Sequence, residues 1–309
     1  MGNRANYILK RGSGLDIFYS HWRAINIAQD LMLGERKFTT LVQQFSKANE
    51  LLNEPWMEAC VLLDFDQKRL TFWETEVLFE TSIREEYLNQ LKSIWTGWTI
   101  KFAYNEMFDI ENELSIQYTA KQKIDLEYGS LEKLSDFSNN EDYFSCLIII
   151  KESGKHSVKY VNGGHEEEIA LIGELVIDKL KLMENRKLKR EGNDDFFGLL
   201  IIDIDKKNLW VNTSINGLKH QLRFLWKNWN INTGNFGYIK LLREIGVDTM
   251  ELELSPENVK KSITKIANGN DNFNPNDLAE KLIGKMGENI QFNEHFFENV
   301  NPKKLFKKE

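Results

Sequence analysis

Apolar residues in this chain fall into two patterns. Short unbroken runs, such as Val61-Leu62-Leu63 and Leu200-Ile201-Ile202, end at acidic residues and read as buried strands. Elsewhere apolar residues recur every three or four positions and read as one face of a helix. Taken in order, the pattern predicts a strand at 6–10, a glycine turn at 11–14 and a return strand at 15–19. A helix follows with Ile25, Ala28, Leu31 and Met32 inward, then a second at 39–52 ended by Pro55. Next come a central strand at 58–66, its return at 69–74, a helix at 82–95 and a strand at 98–104. Residues 105–142 are polar and acidic, with two short apolar patches, and read as a connector.

The second half replays the first. Asp64-Phe65-Asp66 returns as Asp203-Ile204-Asp205, an offset of 203 − 64 = 139. The first hairpin, entered at Ile8, returns at Ile149, an offset of 149 − 8 = 141, and Tyr19 falls on Tyr160 at the same offset. Each copy closes on a Trp pair three apart, Trp95 with Trp98 and Trp226 with Trp229. Repetition at nearly constant offset predicts an α+β fold built by duplication of a hairpin-helix-hairpin-helix-strand unit, with mainly antiparallel sheet and helices packed on it. The boundaries expected are a first repeat at 1–104, a connector at 105–142, a second repeat at 143–236, and a C-terminal helical extension with a basic tail at 237–309. Within the second half, the pattern predicts a helix at 166–182, whose three leading glutamates suit its dipole, and a charged loop at 187–190. Beyond the repeat it predicts a helix at 238–245, a strand at 250–254, and a helix at 256–267 with Ser255 as N-cap and Pro256 in its first turn. A last helix starts near Asn274 and Pro275.

Composition narrows the classes. The net charge of −7 argues against a polyanion partner unless a local basic patch exists. Eight Trp and nineteen Phe suffice for a substantial core, and four Pro in 309 residues argue against a disordered chain. The two cysteines, Cys60 and Cys146, each open an apolar run, so a buried free thiol is expected rather than a disulfide framework or a CxxC motif. No run approaches a membrane span or a signal-peptide core, and a cytoplasmic chain without membrane attachment is expected. Asn6 breaks the myristoylation pattern.

Candidate chemistry is sparse. The Asp64/Asp66 and Asp203/Asp205 pairs have the spacing of a divalent-cation site, but Asp before a turn more often binds its own backbone. Turn chemistry is the expected use, and no metal or other cofactor is assigned. Arg4 precedes the first strand and His21 follows the second, so the hairpin brings both to one end. His21 is a general base near neutral pH, Arg4 a clamp for a carboxylate or phosphate, and Asn3 a third polar group. Ser20 and Trp22 are the accompanying ligand-binding residues. The second copy has Asn162, Gly163 and Gly164 where the first has His21, Trp22 and Arg23, so this constellation belongs to one copy only. Both Trp pairs are expected to anchor helix to sheet. P-loop, Rossmann, GxSxG, HExxH and zinc-finger spacings are absent.

Gly2-Asn3-Arg4-Ala5-Asn6 together with Tyr19-Ser20-His21-Trp22 resembles a group of uncharacterised bacterial proteins that begin MGNRAN and carry YSHW after the first hairpin. The resemblance extends over roughly the first hundred residues and implies an Asp-x-Asp turn and a closing Trp-Pro-Gly-Trp-like sequence. Here that sequence is Trp95-Thr96-Gly97-Trp98, with Thr for Pro. The resemblance implies no activity. Two readings of function follow. The first is a non-enzymatic cytosolic binding protein, immunity- or antitoxin-like, whose partner is another protein. The second is a small-molecule hydrolase or transferase with its site around Arg4 and His21.

Overall fold

A computed structural model describes residues 3–51, 57–75, 77–78, 80–116, 145–162, 166–188, 198–213, 218–234 and 238–269. Two compact units result. One comprises Met1–Ile110 and Leu254–Glu309, the other Glu111–Glu253.

In the first unit, β1 (Ala5–Arg11) and β2 (Gly14–Ser20) form a hairpin, with Ala5 opposite Ser20 and Arg11 opposite Gly14. A 3₁₀ turn at Ala24–Asn26 leads into α1 (Ile27–Leu31) and α2 (Gly34–Val42). Here the expectation of a helix at 39–52 fails. The helix starts five residues earlier than expected and stops at Val42. Ser46–Ala48 instead forms a short strand, β3, antiparallel to β2. The open backbone groups of β2 are satisfied by that pairing, which outweighs the local apolar spacing. Pro55 lies outside the described residues.

A second hairpin, β4 (Ala59–Asp64) with β5 (Arg69–Glu74), follows, then α3 (Thr81–Ile94) and β6 (Thr99–Phe102). The connector expected at 105–142 opens with a further helix, α4 (Met107–Leu114), in which Met107 and Ile110 are fully buried. Sequence position made this helix look like linker because its outer positions are acidic. The six strands run in the order β3-β2-β1-β4-β5-β6. Pairing is mixed rather than mainly antiparallel. The two hairpins lie with β1 and β4 parallel, and the crossover through α3 returns β6 parallel to β5.

The second unit repeats this plan. β7 (Ser145–Glu152) pairs with β8 (Lys155–Asn162), and β9 (Gly198–Asp203) with β10 (Asn208–Val211). Between them lie α5 (Glu166–Ala170) and α6 (Val176–Leu182), and after them α7 (Leu218–Leu225), β11 (Asn230–Thr233) and α8 (Tyr238–Glu244). The helix expected at 166–182 is thus two helices, broken where Gly173 takes φ 84°. Ser153 and Gly154 both have positive φ, as a type I′ turn requires. Read from the other edge, the sheet order β8-β7-β9-β10-β11 matches β2-β1-β4-β5-β6 of the first unit, with the same sense at every pairing. One sheet face carries Cys146, Ile148 and Ile150 under α5, α6 and α7. The other carries Leu147 and Ile149 against Ile239 and Leu242 of α8. Alternate residues of each strand are therefore buried on both sides, which explains why these strands read as unbroken apolar runs.

The strand expected at 250–254 is a turn instead. The amide of Leu252 bonds the Thr249 carbonyl at 2.9 Å and is thereby withdrawn from any ladder. The helix α9 (Pro256–Asn268) has Ser255 as its N-cap, accepting from the Asn258 amide, with Pro256 in the first turn. It belongs to the first unit and packs on α3 and α1. The helix near Asn274 and the basic tail fall outside the described residues.

Candidate functional site

The end of the first sheet where β1 and β4 begin and β2 ends gathers the residues singled out from the sequence. Asn3 and Arg4 enter β1 there, Ser20 closes β2, and His21 and Trp22 turn away from it. Asn3 ties this turn together. Its amide donates to the His21 carbonyl at 2.8 Å, and its own carbonyl accepts from the Ala24 amide at 3.0 Å. Its side-chain oxygen accepts from the Ile25 amide, capping the 3₁₀ turn. Arg4 extends the parallel pairing toward β4. Its amide donates to the Glu58 carboxylate, and its carbonyl accepts from the Glu58 amide at 3.0 Å.

His21 is only 7 % exposed. Its Nδ1 lies 2.9 Å from the Tyr19 hydroxyl, and its ring meets Trp22 edge-on at 4.5 Å. Tyr19 and His21 are two apart in sequence, so one strand direction sets both. Ser20 and Trp22 are buried. Beneath them, Arg23 holds Asp30 through both carboxylate oxygens. Burial pushes the Asp30 carboxyl up, and the Arg23 guanidinium offsets this only in part. The structure therefore brings Asn3, Arg4, Ser20, His21 and Trp22 to one sheet end, with an oriented imidazole. Asn3 serves there as a backbone clamp.

The Asp-x-Asp pairs lie at the opposite end of each sheet and serve as latches between hairpins. Asp64 accepts from the amides of Asp66 and Gln67, at 3.1 and 2.9 Å, and pairs with Lys10 at 2.8 Å. Burial pushes its carboxyl up, but Lys10 and the two amides outweigh burial and hold it below the usual range. Asp66 reaches across to the Gly12 amide at 2.6 Å. In the second copy, Asp203 accepts from the Lys206 amide at 3.0 Å, and Asp205 takes the amides of Ser153 and Gly154 at 2.7 and 2.9 Å. Among the described residues, no group of three His, Cys, Asp or Glu is placed to hold a metal ion.

Sequence reading missed several buried charged groups, Glu166 among them. Glu166 opens α5 with its side chain directed into the core rather than toward solvent, and it is 6 % exposed. Its carboxyl lies over Gly198, beside the Cys146 thiol. Burial, reinforced by the neighbouring Glu167 charge, raises it from the usual 4.5 to about 9. The available signal was the lone glycine opening an otherwise apolar strand, a mark of close approach. Both cysteines are free and buried, and no described helix is long and apolar enough to cross a membrane.

No protein-family model matches the chain, and no match is found among the curated proteins or the solved structures.

Proposed function

We propose that the chain is a non-enzymatic cytosolic binding protein, immunity- or antitoxin-like, that docks another protein on the outer helices of its second unit. The observation that carries this reading is a set of large apolar side chains left in solvent. Leu175 is 71 % exposed, Leu182 84 % and Phe224 66 %. Leu175 and Leu182 are seven residues apart and so lie on one side of α6. Leu175 follows Gly173, which packs against Leu225 at the end of α7, next to Phe224.

The duplication supplies an internal reference. Register between the copies is 139 residues from the first helix to the second hairpin, as at Leu31 and Ala170, and 226 − 95 = 131 at the Trp pair. By that register the first copy has Arg36, Gln43 and Ser93 in place of Leu175, Leu182 and Phe224. The fold does not need apolar residues there. The same two helices carry exposed Lys179, Lys219, Arg223 and Lys227 beside the exposed acids Glu174 and Asp178, an excess of positive charge in a chain whose net charge is −7. Such a surface suits a partner that presents acidic residues around an apolar strip. Free buried thiols suit a reducing compartment, and the resemblance of the opening residues points to a bacterial one.

The second reading, a hydrolase or transferase using Arg4, His21 and Asn3 with Ser20 and Trp22, draws on the Tyr19 hydroxyl that orients His21. Asn3 weakens it, because that side chain already caps the 3₁₀ turn.

Affinity capture from the native cell separates the two. Wild type, a Leu175→Ser/Leu182→Ser/Phe224→Ser variant and His21→Ala are compared after nuclease treatment. The expected result is one acidic protein lost with the triple variant and retained with His21→Ala. Retention by the triple variant overturns the docking surface, and loss of a bound small molecule with His21→Ala favours the enzyme.

A further inference from the structure

The second unit contains a carboxyl where the first is wholly apolar. By the 139-residue register, Glu166 stands in the place of Ile27, and Gly198 in the place of Ala59. Ile27 and Ala59 are both fully buried. In the second copy a polar side chain is matched by loss of the Ala59 methyl at the facing strand position. The fit is close. A Cβ on Gly198 would overlap the Glu166 carboxyl and would stand 2.9 Å from its Cδ. The pair therefore forms a socket for the carboxyl, with the Cys146 thiol as its third wall.

The socket favours one protonation state. The groups facing Glu166 are Glu167 of the same turn, the Cys146 thiol of β7 and Gly198 of β9. β10, on which α5 also packs, brings no charged residue. Among the described residues no cation answers the carboxylate, so the neutral acid is the form that fits. α5 has five residues, and one turn is cheaply released.

We propose that Glu166 is a proton-controlled latch: protonated, it seats in the Gly198 socket and holds α5 on the sheet, and on losing its proton it leaves and frees that turn. The carboxyl is raised in the folded state, so the stabilisation is complete below about pH 4.5 and is lost progressively up to about pH 9. Across that window the equilibrium constant for release rises about tenfold per pH unit.

Cys146 reports the release, because it forms a wall of the socket. In the full chain carrying Cys60→Ala, labelling of Cys146 by an aromatic disulfide is measured from pH 6 to pH 9. Each rate is divided by that of the unfolded chain at the same pH, which removes the thiol's own ionisation. The expected opening constant rises about tenfold per pH unit in the parent and stays flat in Glu166→Gln. Gly198→Ala, which closes the socket, labels readily at every pH. A flat parent, or a Gln variant that rises with it, overturns the proposal. Should the Gln variant fail to fold, amide exchange in the wild type decides. The amides of Leu171 and Ile172, which bond the Glu167 and Ile169 carbonyls at 2.9 and 3.2 Å, must then lose protection over this range while the amides of β7 keep theirs, and uniform loss or uniform protection refutes the latch.

Discussion

Trp226 donates its indole N–H to the Ala170 carbonyl at 2.8 Å, and Trp95 makes the same bond to Leu31 at 2.7 Å. Each bond runs from the end of the third helix of its unit to the last turn of the first, through the buried layer. Replacement by Phe keeps most of the ring and deletes the bond, at a cost of about 0.5–1.5 kcal/mol; the Ala170 carbonyl keeps the Gly173 amide at 3.1 Å. Trp95→Phe and Trp226→Phe are expected to lower stability by similar amounts in urea unfolding. A negligible loss in both would show that packing alone anchors these helices.

The hairpin latches predict an acid-sensitive end. Asp205 is held below the usual carboxylate range by the Gly154 and Ser153 amides. A depressed carboxyl stabilises above its ordinary pKa and loses that effect as pH falls. Amide exchange at Ser153 and Gly154 should therefore accelerate below about pH 4. Asp205→Ala should show the accelerated exchange already at pH 7, and unchanged protection there would refute the latch.

Arg23 and Asp30 predict the opposite slope. Burial raises the Asp30 carboxyl despite its partner, so removing Arg23 leaves a charge that the core disfavours. Breaking a buried pair costs about 3–5 kcal/mol, and the partly exposed Arg23 places this one lower, at about 2–3 kcal/mol. Because the raised carboxyl is relieved by protonation, Arg23→Ala should be more destabilised at pH 7 than at pH 4, relative to wild type. Urea midpoints at both values test this, and a deficit that is larger at pH 4 would contradict it.

Gly34 and Gly173 occupy the same place in the two copies, at φ 76° and 84°, and each lies against the last residue of the following long helix. An alanine there must adopt a left-handed backbone, at about 1–2 kcal/mol. Thermal melts of Gly34→Ala and Gly173→Ala should show comparable losses. A stable Gly173→Ala would mean that the break between α5 and α6 is not built on this glycine.

Strands were more legible than helices in the sequence, and the reason lies in particular residues. Arg69–Glu74 lies exactly where apolar alternation and the Asp64 turn put it, since both cues are local. Residues 39–52 misled, because Phe45 keeps helical spacing while Ser46–Ala48 follows the open edge of β2, a partner distant in sequence. α4 was hidden for a related cause. Its inward apolar residues are Met107 and Ile110, joined by the buried Glu111, among acids that read as linker. At the candidate site, the hairpin made the meeting of Asn3 with His21 foreseeable. The glutamate at 166 was misread because helix-dipole reasoning places a first-turn acid in water, whereas Gly198 opens room for it inside.

The first unit is closed by α9, which begins at Pro256, after the whole of the second unit. During synthesis on the ribosome, the later copy therefore has all its strands before the earlier copy receives its last helix. The unit that starts first is finished last, and α3 waits through 255 − 94 = 161 residues of translation, α1 through more, for the element that covers them.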